Sequence, residues 1–219
     1  MKKKCAKEAL KYIKDNSIVG LGGGSTISHL VDYIKESNLN VKVVTPSFNT
    51  EMLCIEKGIQ VIPTWSVNEV DIAFDGCDEV DSNLNALKSG GGIHTKEKII
   101  AKMSKDYILL VDESKVSENL TFKYPVVLEI FTEGIGYVKS QIERLGGVVS
   151  IRKSKTKDCF TISDNGLLLM DVVFRDIEEI ENLDKKLKNI VGVVDTSLFY
   201  NIATKAIVVS EDNIRLIEK

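Results

Sequence analysis

The first half of the chain alternates between helical and strand patterns. Apolar residues recur every three or four positions from Ala6 to Lys14, which predicts a helix there. Short runs rich in Val and Ile predict strands at 18–21, 41–45, 59–62, 71–74 and 107–111, and helical periodicity appears at 27–34, 49–56 and 96–103. Strands that alternate with helices in this way are typical of a parallel, doubly wound sheet.

The pattern changes after about Lys123. We predict further strands at 126–130, 148–151, 160–163, 167–173 and 191–196, with helices at 134–145 and 177–187. This resembles a ferredoxin-like β-α-β-β-α-β unit. The last strand pair, 206–209 and 214–217, has no helix after it, so we expect it to return to the first sheet. The prediction is an α/β protein with a Rossmann-like, mainly parallel domain (1–123 and 202–219) and a smaller ferredoxin-like domain (124–201).

Composition narrows the class of protein. The chain has 219 residues, of which 43% are hydrophobic and 28% charged, and this is ordinary for a globular enzyme. The net charge of -3 argues against a nucleic-acid partner, which favours a basic face. No apolar run reaches the roughly 20 residues that a bilayer span requires, and charged residues interrupt the N-terminal segment where a secretory signal would lie. We therefore expect neither a nucleic-acid nor a membrane partner.

Cysteine and histidine usage gives an expectation about metals and compartment. The four cysteines are far apart and form no Cys-x-x-Cys pair, so neither a disulfide framework nor a zinc site is predicted. The two histidines cannot build a metal site alone. Reduced thiols in a cytoplasm fit this pattern best, and we expect no metal.

A glycine turn lies between the first predicted strand and the following helix. Its residues, Gly20 to Thr26, allow the backbone to approach a ligand closely, and a helix N-terminus favours an anion such as phosphate. Ser25 and Thr26 offer hydroxyl donors, and either can cap the helix. One alternative is a plain turn without a ligand. Another is a dinucleotide site, but the acidic residue expected at the end of the next strand is absent, since that strand ends at Thr45-Pro46.

An acidic loop, Asp75 to Asp81, follows another apolar strand. Ligands of open α/β sheets bind beyond the carboxyl ends of the strands, which is where this loop begins. Read alone, the loop fits either a solvated turn or a Mg²⁺ or Ca²⁺ site, although the spacing of a calcium loop is not met.

A second glycine turn, Leu87 to Gly92, carries Lys88 and precedes a helix whose first turn would contain Glu97. His94 or Thr95 is the expected N-cap. Taken singly, Lys88 fits a surface lysine, and Glu97 fits compensation of the helix dipole. Together with Asp75 and Asp78, they supply what aldose–ketose isomerisation needs. A base moves a proton next to the carbonyl, a cation steadies the enediolate oxygen, and a further acid/base pair opens the sugar ring.

Several segments resemble type A ribose-5-phosphate isomerase over nearly the whole chain. They occur in the family's order at compatible spacing: Ile18–Thr26, Asp75–Glu79, Lys88–Gly92, Thr95–Ala101 and Asp112–Lys115. The resemblance implies interconversion of D-ribose 5-phosphate and D-ribulose 5-phosphate in the non-oxidative branch of the pentose phosphate pathway, without metal or cofactor. It also implies a homodimer or homotetramer.

The resemblance further implies roles for individual residues. Glu97 would be the general base that moves the proton between C1 and C2, while Asp75, Asp78 and Lys88 would assist ring opening and handle hydroxyl protons. The pentose 5-phosphate substrate would be held by a set of loop residues: Gly23, Gly24, Ser25, Thr26, Asp75, Gly76, Cys77, Asp78, Lys88, Ser89, Gly90, Gly91 and Lys115.

Two positions depart from the family pattern. Gly23 stands where the family usually has Thr, so a hydroxyl is lost. Ser89 stands where it usually has Gly, which costs roughly 1 kcal/mol if the position needs a positive φ. Neither departure touches an acid/base group.

Three other functions compete with the isomerase: an amino-sugar phosphate isomerase, a CoA transferase, and the sugar-phosphate sensor domain of a transcription regulator.

Overall fold

The computed structural model describes residues 1–156, 158–175, 177 and 179–219. Its helices are α1 (Lys2–Leu10), α2 (Ser25–Glu36), α3 (Phe48–Glu56), α4 (His94–Met103), α5 (Ile135–Arg144) and α6 (Ile180–Lys188). Its strands are β1 (Ile18–Leu21), β2 (Lys42–Val44), β3 (Gln60–Val61), β4 (Val70–Asp75), β5 (Glu79–Asp81), β6 (Ala86–Leu87), β7 (Ser104–Asp112), β8 (Val116–Ser117), β9 (Val126–Ile130), β10 (Val148–Ile151), β11 (Leu168–Val173), β12 (Val193–Thr196), β13 (Leu198–Phe199), β14 (Lys205–Val209) and β15 (Ile214–Glu218).

The largest sheet has seven strands in the order β15-β14-β7-β4-β1-β2-β3, and only the β14–β15 pair is antiparallel. Successive side chains of a strand point to opposite faces. Ile108 and Leu110 therefore join a core with α1 and α2, while Tyr107 and Leu109 join a second core with α4. Helices cover both faces, so the prediction of a doubly wound, mainly parallel sheet is confirmed. The last strand pair joins this sheet, as predicted.

A second sheet is antiparallel throughout, in the order β10-β11-β9-β12, with α5 and α6 packed against it. Its element order is the predicted β-α-β-β-α-β. The predicted strand at 160–163 is wrong, because this segment forms only isolated bridges at Phe160 and Ile162. Both side chains are about half exposed, and the Ser163 hydroxyl turns away to donate to Glu129. Side-chain bonding of this kind competes with a regular ladder.

A third, small sheet in the order β13-β6-β5-β8 was not predicted. Its strands contain two or three residues each, which is too short to show a period of two along the sequence. β13 pairs with β6, so the chain leaves the second sheet before residue 202. The division of the chain into 1–123 with 202–219 and 124–201 stays a prediction.

Several helix boundaries differ from the predictions. α1 runs from Lys2 to Leu10, because the backbone then tightens into a turn in which the Lys11 amide donates to the Glu8 carbonyl. Ile93 precedes α4, so the expected cap at His94 or Thr95 is wrong. The predicted helix 177–187 begins at Ile180 in the structure, and it included residue 178, which lies outside the described residues.

The sheet order explains where a site can form. β1 lies between β4 and β2, and the chain leaves β1 toward one edge of the sheet and β4 toward the other. Such a reversal opens a crevice beyond the carboxyl ends of the two strands. The glycine turn after β1 and the acidic loop after β4 both enter this crevice.

Candidate active site

Three buried charged groups from separate elements meet at the floor of the crevice. Asp75 ends β4, Lys88 follows β6, and Glu97 lies in the first turn of α4. The Lys88 Nζ atom lies 3.0 Å from Oδ2 of Asp75 and 3.3 Å from Oε1 of Glu97. It also donates to the carbonyl oxygen of Gly76. The structure thus brings together three of the four residues for which a catalytic role was predicted.

Burial and mutual charge set the protonation of this group. Burial, together with the Asp75 carboxylate, raises the pKa of Glu97 to about 8, and Lys88 opposes the shift. Burial disfavours the charged form of Lys88, but the carboxylates of Asp75 and Glu97 outweigh it and raise the Lys88 pKa above its ordinary value. Lys88 therefore stays an ammonium ion, while Glu97 exchanges its proton near neutral pH. A pKa close to the working pH is what a general base requires.

The Asp75 carboxylate is held from several sides. The Gly76 amide donates to Oδ1 at 2.8 Å, and the Tyr107 hydroxyl donates to Oδ2 at 3.2 Å. Gly22 packs closely against the same carboxylate, since a Cβ at Gly22 would lie 2.0 Å from Oδ1. The Thr50 hydroxyl donates to the Gly22 carbonyl at 2.7 Å and fixes that turn. Only glycine at position 22 leaves room for this placement of Asp75.

Asp78 connects the acidic loop with the second glycine turn at the rim of the site. Its Oδ2 accepts from the Gly90 amide at 2.9 Å. The Lys115 ammonium braces the same loop by donating to the Cys77 carbonyl at 2.7 Å. The Cys77 side chain points inward, and its burial raises the pKa of the thiol to about 12. Cys77 therefore remains an uncharged thiol that fills space.

A cavity of about 510 Å³ lies above the charged floor. Its wall includes residues at the N-terminal ends of α2, α3 and α4, namely Gly24, Ser47–Asn49 and Ile93. The first amides of a helix lack partners within the helix, and the helix dipole is positive at that end. Three such ends around one cavity favour an anionic ligand such as a phosphate ester.

Most of the predicted site residues border this cavity, and five do not. Ser25 is exposed at the start of α2, Thr26 and Lys115 border a separate cavity of about 70 Å³, and Ser89 donates to the Pro125 carbonyl. The Gly90 amide donates to Asp78, and the Gly90 carbonyl accepts from Arg152. The roles assigned to these five, and to the residues that do border the cavity, stay predictions. The predicted residues in the wall are Gly23, Gly24, Asp75, Gly76, Cys77, Asp78, Lys88, Gly91 and Glu97.

Several residues of the site were missed from the sequence. Ser47, Phe48 and Asn49 follow β2, which ends at the same edge of the sheet as β1, so the strand-end rule would have found them. Asp164 reaches the cavity from the turn before β11, with its carboxylate 3.6 Å from the ammonium of Lys96. No local pattern marks that approach.

The two departures from the family pattern have simple structural outcomes. A Cβ at Gly23 would meet Ser47 Oγ at 3.5 Å, which is ordinary contact, so the glycine is not required by packing. The Ser47 hydroxyl therefore lies close to where the Cβ of the family's usual threonine would be. The described residues with a positive φ do not include Ser89, so the condition under which this serine would be strained is not met.

Two further properties follow from the described part of the chain. It contains no group of three or more His, Cys, Asp or Glu side chains placed to hold a metal ion. None of its helices combines the length and apolar character that crossing a bilayer demands.

Comparison with known proteins matches this chain to a family. The family model for ribose 5-phosphate isomerase A (phosphoriboisomerase A) matches residues 42–213, and the model for the DeoR C-terminal sensor domain matches residues 1–65. A ribose-5-phosphate isomerase A of Methanococcus aeolicus is 41% identical over 97% of this chain and 92% of the relative.

Two solved structures are similar over the whole fold. The ribose 5-phosphate isomerase A of Methanocaldococcus jannaschii superposes with a TM-score of 0.93 at 34% identity, covering 100% of this chain and 98% of that one. A D-ribose-5-phosphate isomerase in complex with phospho-erythronic acid gives a TM-score of 0.94 at 32% identity, covering 100% and 97%.

Proposed function

Because this chain belongs to the ribose 5-phosphate isomerase A family, we propose that it interconverts D-ribose 5-phosphate and D-ribulose 5-phosphate through an enediol or enediolate. The observation that carries the proposal is the buried Lys88 ammonium between the Asp75 and Glu97 carboxylates, at the floor of a cavity bordered by three helix N-termini. A phosphate group binds at the helix ends, and the carbonyl end of the sugar reaches the floor.

Each charged group has one role in this proposal. Glu97 removes the proton from the carbon next to the carbonyl and returns it to the neighbouring carbon, as its pKa of about 8 allows. Lys88 stays charged and stabilises the negative oxygen of the enediolate. Asp75 and Asp78 exchange hydroxyl protons and open the furanose ring.

An isomerase assay tests the proposal directly. Purified protein is supplied with ribose 5-phosphate in EDTA, and formation of ribulose 5-phosphate is followed. We expect turnover by the wild-type protein, and we expect Glu97→Gln to lower kcat by about 10²–10⁴-fold, as for loss of a general base.

Glu181→Gln is the matched control. Glu181 also lies in the first turn of a helix and also pairs with a lysine, but it is exposed on α6. It should retain the wild-type rate. A correctly folded wild-type protein without turnover would overturn the proposed activity, and a near-normal rate in Glu97→Gln would remove Glu97 from its role.

The match to a sensor domain supports a second candidate function, binding of a sugar phosphate without turnover. That match covers residues 1–65 and therefore excludes Asp75, Lys88 and Glu97. Titration with ribose 5-phosphate alongside the assay separates the two functions. A panel with amino-sugar phosphates and CoA thioesters tests the remaining alternatives.

We also propose a homodimer or homotetramer in the cytoplasm. Exposed apolar side chains support the assembly: Phe48, Trp65 and Ile99 border a second cavity of about 720 Å³ beside the first, and the Trp65 side chain is 88% exposed. The four free cysteines support a reducing compartment. Sedimentation equilibrium at micromolar concentration tests the assembly, and a monomer there would contradict it.

A further inference from the structure

The hydroxyl of Tyr107 lies beneath the charged floor of the cavity and contacts Asp75 there. Tyr107 is on β7, next to β4, and its side chain is buried on the α4 side of the sheet. Its hydroxyl donates to Oδ2 of Asp75 at 3.2 Å, the same oxygen that lies 3.0 Å from the Lys88 ammonium. We infer that Tyr107 is a positioning residue for the isomerisation, one that holds the Asp75 carboxylate in place against Lys88.

The tyrosine ring is itself held in place. It stacks on Phe199, with ring centroids 6.1 Å apart and an interplanar angle of 25°. The ammonium of Lys88 lies 5.6 Å from the centroid of the same Phe199 ring. On the backbone, the Tyr107 amide donates to the Thr204 hydroxyl at 3.1 Å. The hydroxyl therefore has little freedom to leave Asp75.

Tyr107 acts as a donor and not as a proton carrier. Its burial and the negative charges of Asp75 and Glu97 raise the pKa of the phenol well above its ordinary value, so the O–H bond persists across the working pH range. The titratable and charged groups that face the floor are Asp75 on β4, Glu97 on α4, Lys88 after β6, and Cys77 in the acidic loop.

The hydroxyl dipole stabilises negative charge in this buried group. Without it, the charge of the Asp75 carboxylate is less compensated, so Glu97 ionises less readily beside it and holds its proton more tightly. The acidic limb of the activity profile should then move to higher pH. This consequence depends on Tyr107 acting through Asp75, and packing alone would not produce it.

The test rests on the proposed isomerase activity and uses Tyr107→Phe, which keeps the ring and removes one oxygen. Tyr200→Phe is the matched control, since the Tyr200 hydroxyl also donates to a carboxylate, that of Glu181 at 2.9 Å, but on an exposed surface. We expect Tyr107→Phe to lower kcat about 10-fold with KM within about twofold, and to move the acidic limb of kcat upward by about 0.5–1 pH unit. The control should match the wild type in all three.

Two results would overturn the inference. One is a wild-type acidic limb in Tyr107→Phe, whatever happens to its rate. The other is an additional loss of the same size when Tyr107→Phe is combined with Asp75→Asn, because a residue that acts through Asp75 has no further effect once that carboxylate is gone. Failure of the proposed function looks different, since wild type and control would then both lack turnover.

A second measurement does not depend on activity. In wild-type protein, a buried hydroxyl bonded to a carboxylate should give a slowly exchanging downfield proton resonance in the ¹H NMR spectrum. We expect this resonance to shift in Asp75→Asn and to vanish in Tyr107→Phe. A wild-type spectrum without it would also overturn the inference.

Discussion

The contact between Gly22 and Asp75 makes Gly22→Ala a direct test of the site geometry. A Cβ at position 22 would lie 2.0 Å from Oδ1 of Asp75 and 2.2 Å from its Cγ. Ordinary contact begins at 3.4 Å, so the carboxylate and the new methyl group must separate by the difference, about 1.4 Å.

Neither partner gives way easily. The Gly22 turn is fixed by the hydrogen bond that the Gly22 amide donates to the Phe74 carbonyl at 2.9 Å and by the Thr50 hydroxyl. A shift of the Asp75 carboxylate breaks its contact with Lys88. A displacement of about 1 Å in a catalytic group costs on the order of 100-fold in rate, or about 2.7 kcal/mol in activation free energy. We expect Gly22→Ala to lower kcat by about that factor.

The assay is ribulose 5-phosphate formation at saturating substrate, with thermal melting as a check on folding. Gly136→Ala is the control, because a Cβ at this helical glycine meets nothing within 4 Å. Its kcat should equal that of the wild type. A folded Gly22→Ala variant with kcat within about twofold of the wild type would refute the argument that the Asp75 position is fixed by this contact.

Two further predictions concern stability. Because burial raises the Glu97 pKa from 4.5 to about 8, the folded protein holds this proton more tightly than the unfolded chain does. The contribution of Glu97 to the free energy of unfolding is therefore full below about pH 4.5 and is lost as the pH rises to about 8. The free energies of unfolding of wild type and Glu97→Gln, measured by denaturation, should diverge over this range. A constant difference between the two would contradict the prediction. Asp195→Ala leaves the ammonium of Lys98, 2.8 Å from Asp195 in the wild type, buried without its carboxylate. We expect a loss of about 3 kcal/mol in urea denaturation, whereas a loss under about 1 kcal/mol would show that the Lys98 charge is relieved in another way.

The large sheet and the catalytic floor were predictable for the same physical reason. Buried parallel strands read as Val- and Ile-rich runs, and the loops that follow them must meet at one edge of the sheet. That rule was sufficient to bring Asp75 and the Gly22–Gly24 turn together. Lys88 and Glu97 were grouped with them through the second glycine turn, the family resemblance implied their roles, and the structure supplies the distances from Lys88 to Asp75 and Glu97.

Other features depend on information that the local sequence lacks. Tyr107 was predicted as part of a strand, but its contact with Asp75 depends on the register between β7 and β4, in which Tyr107 lies opposite Ala73. Asp164 reaches the cavity only because the turn before β11 packs over α4. The strands of the third sheet have no periodicity to read, since each is only two or three residues long.

The charge balance of the floor connects catalysis with stability. With Glu97 protonated, the Lys88 ammonium and the Asp75 carboxylate form a neutral buried pair; when Glu97 ionises, a second negative charge lies 3.3 Å from the same ammonium. Burial and that excess charge together raise the Glu97 pKa and make it a base strong enough to take a proton from carbon. The same excess charge weakens the fold as the pH rises. A variant that stabilises the protein above about pH 8 by relieving this charge should therefore also weaken Glu97 as a base, because both properties depend on one proton.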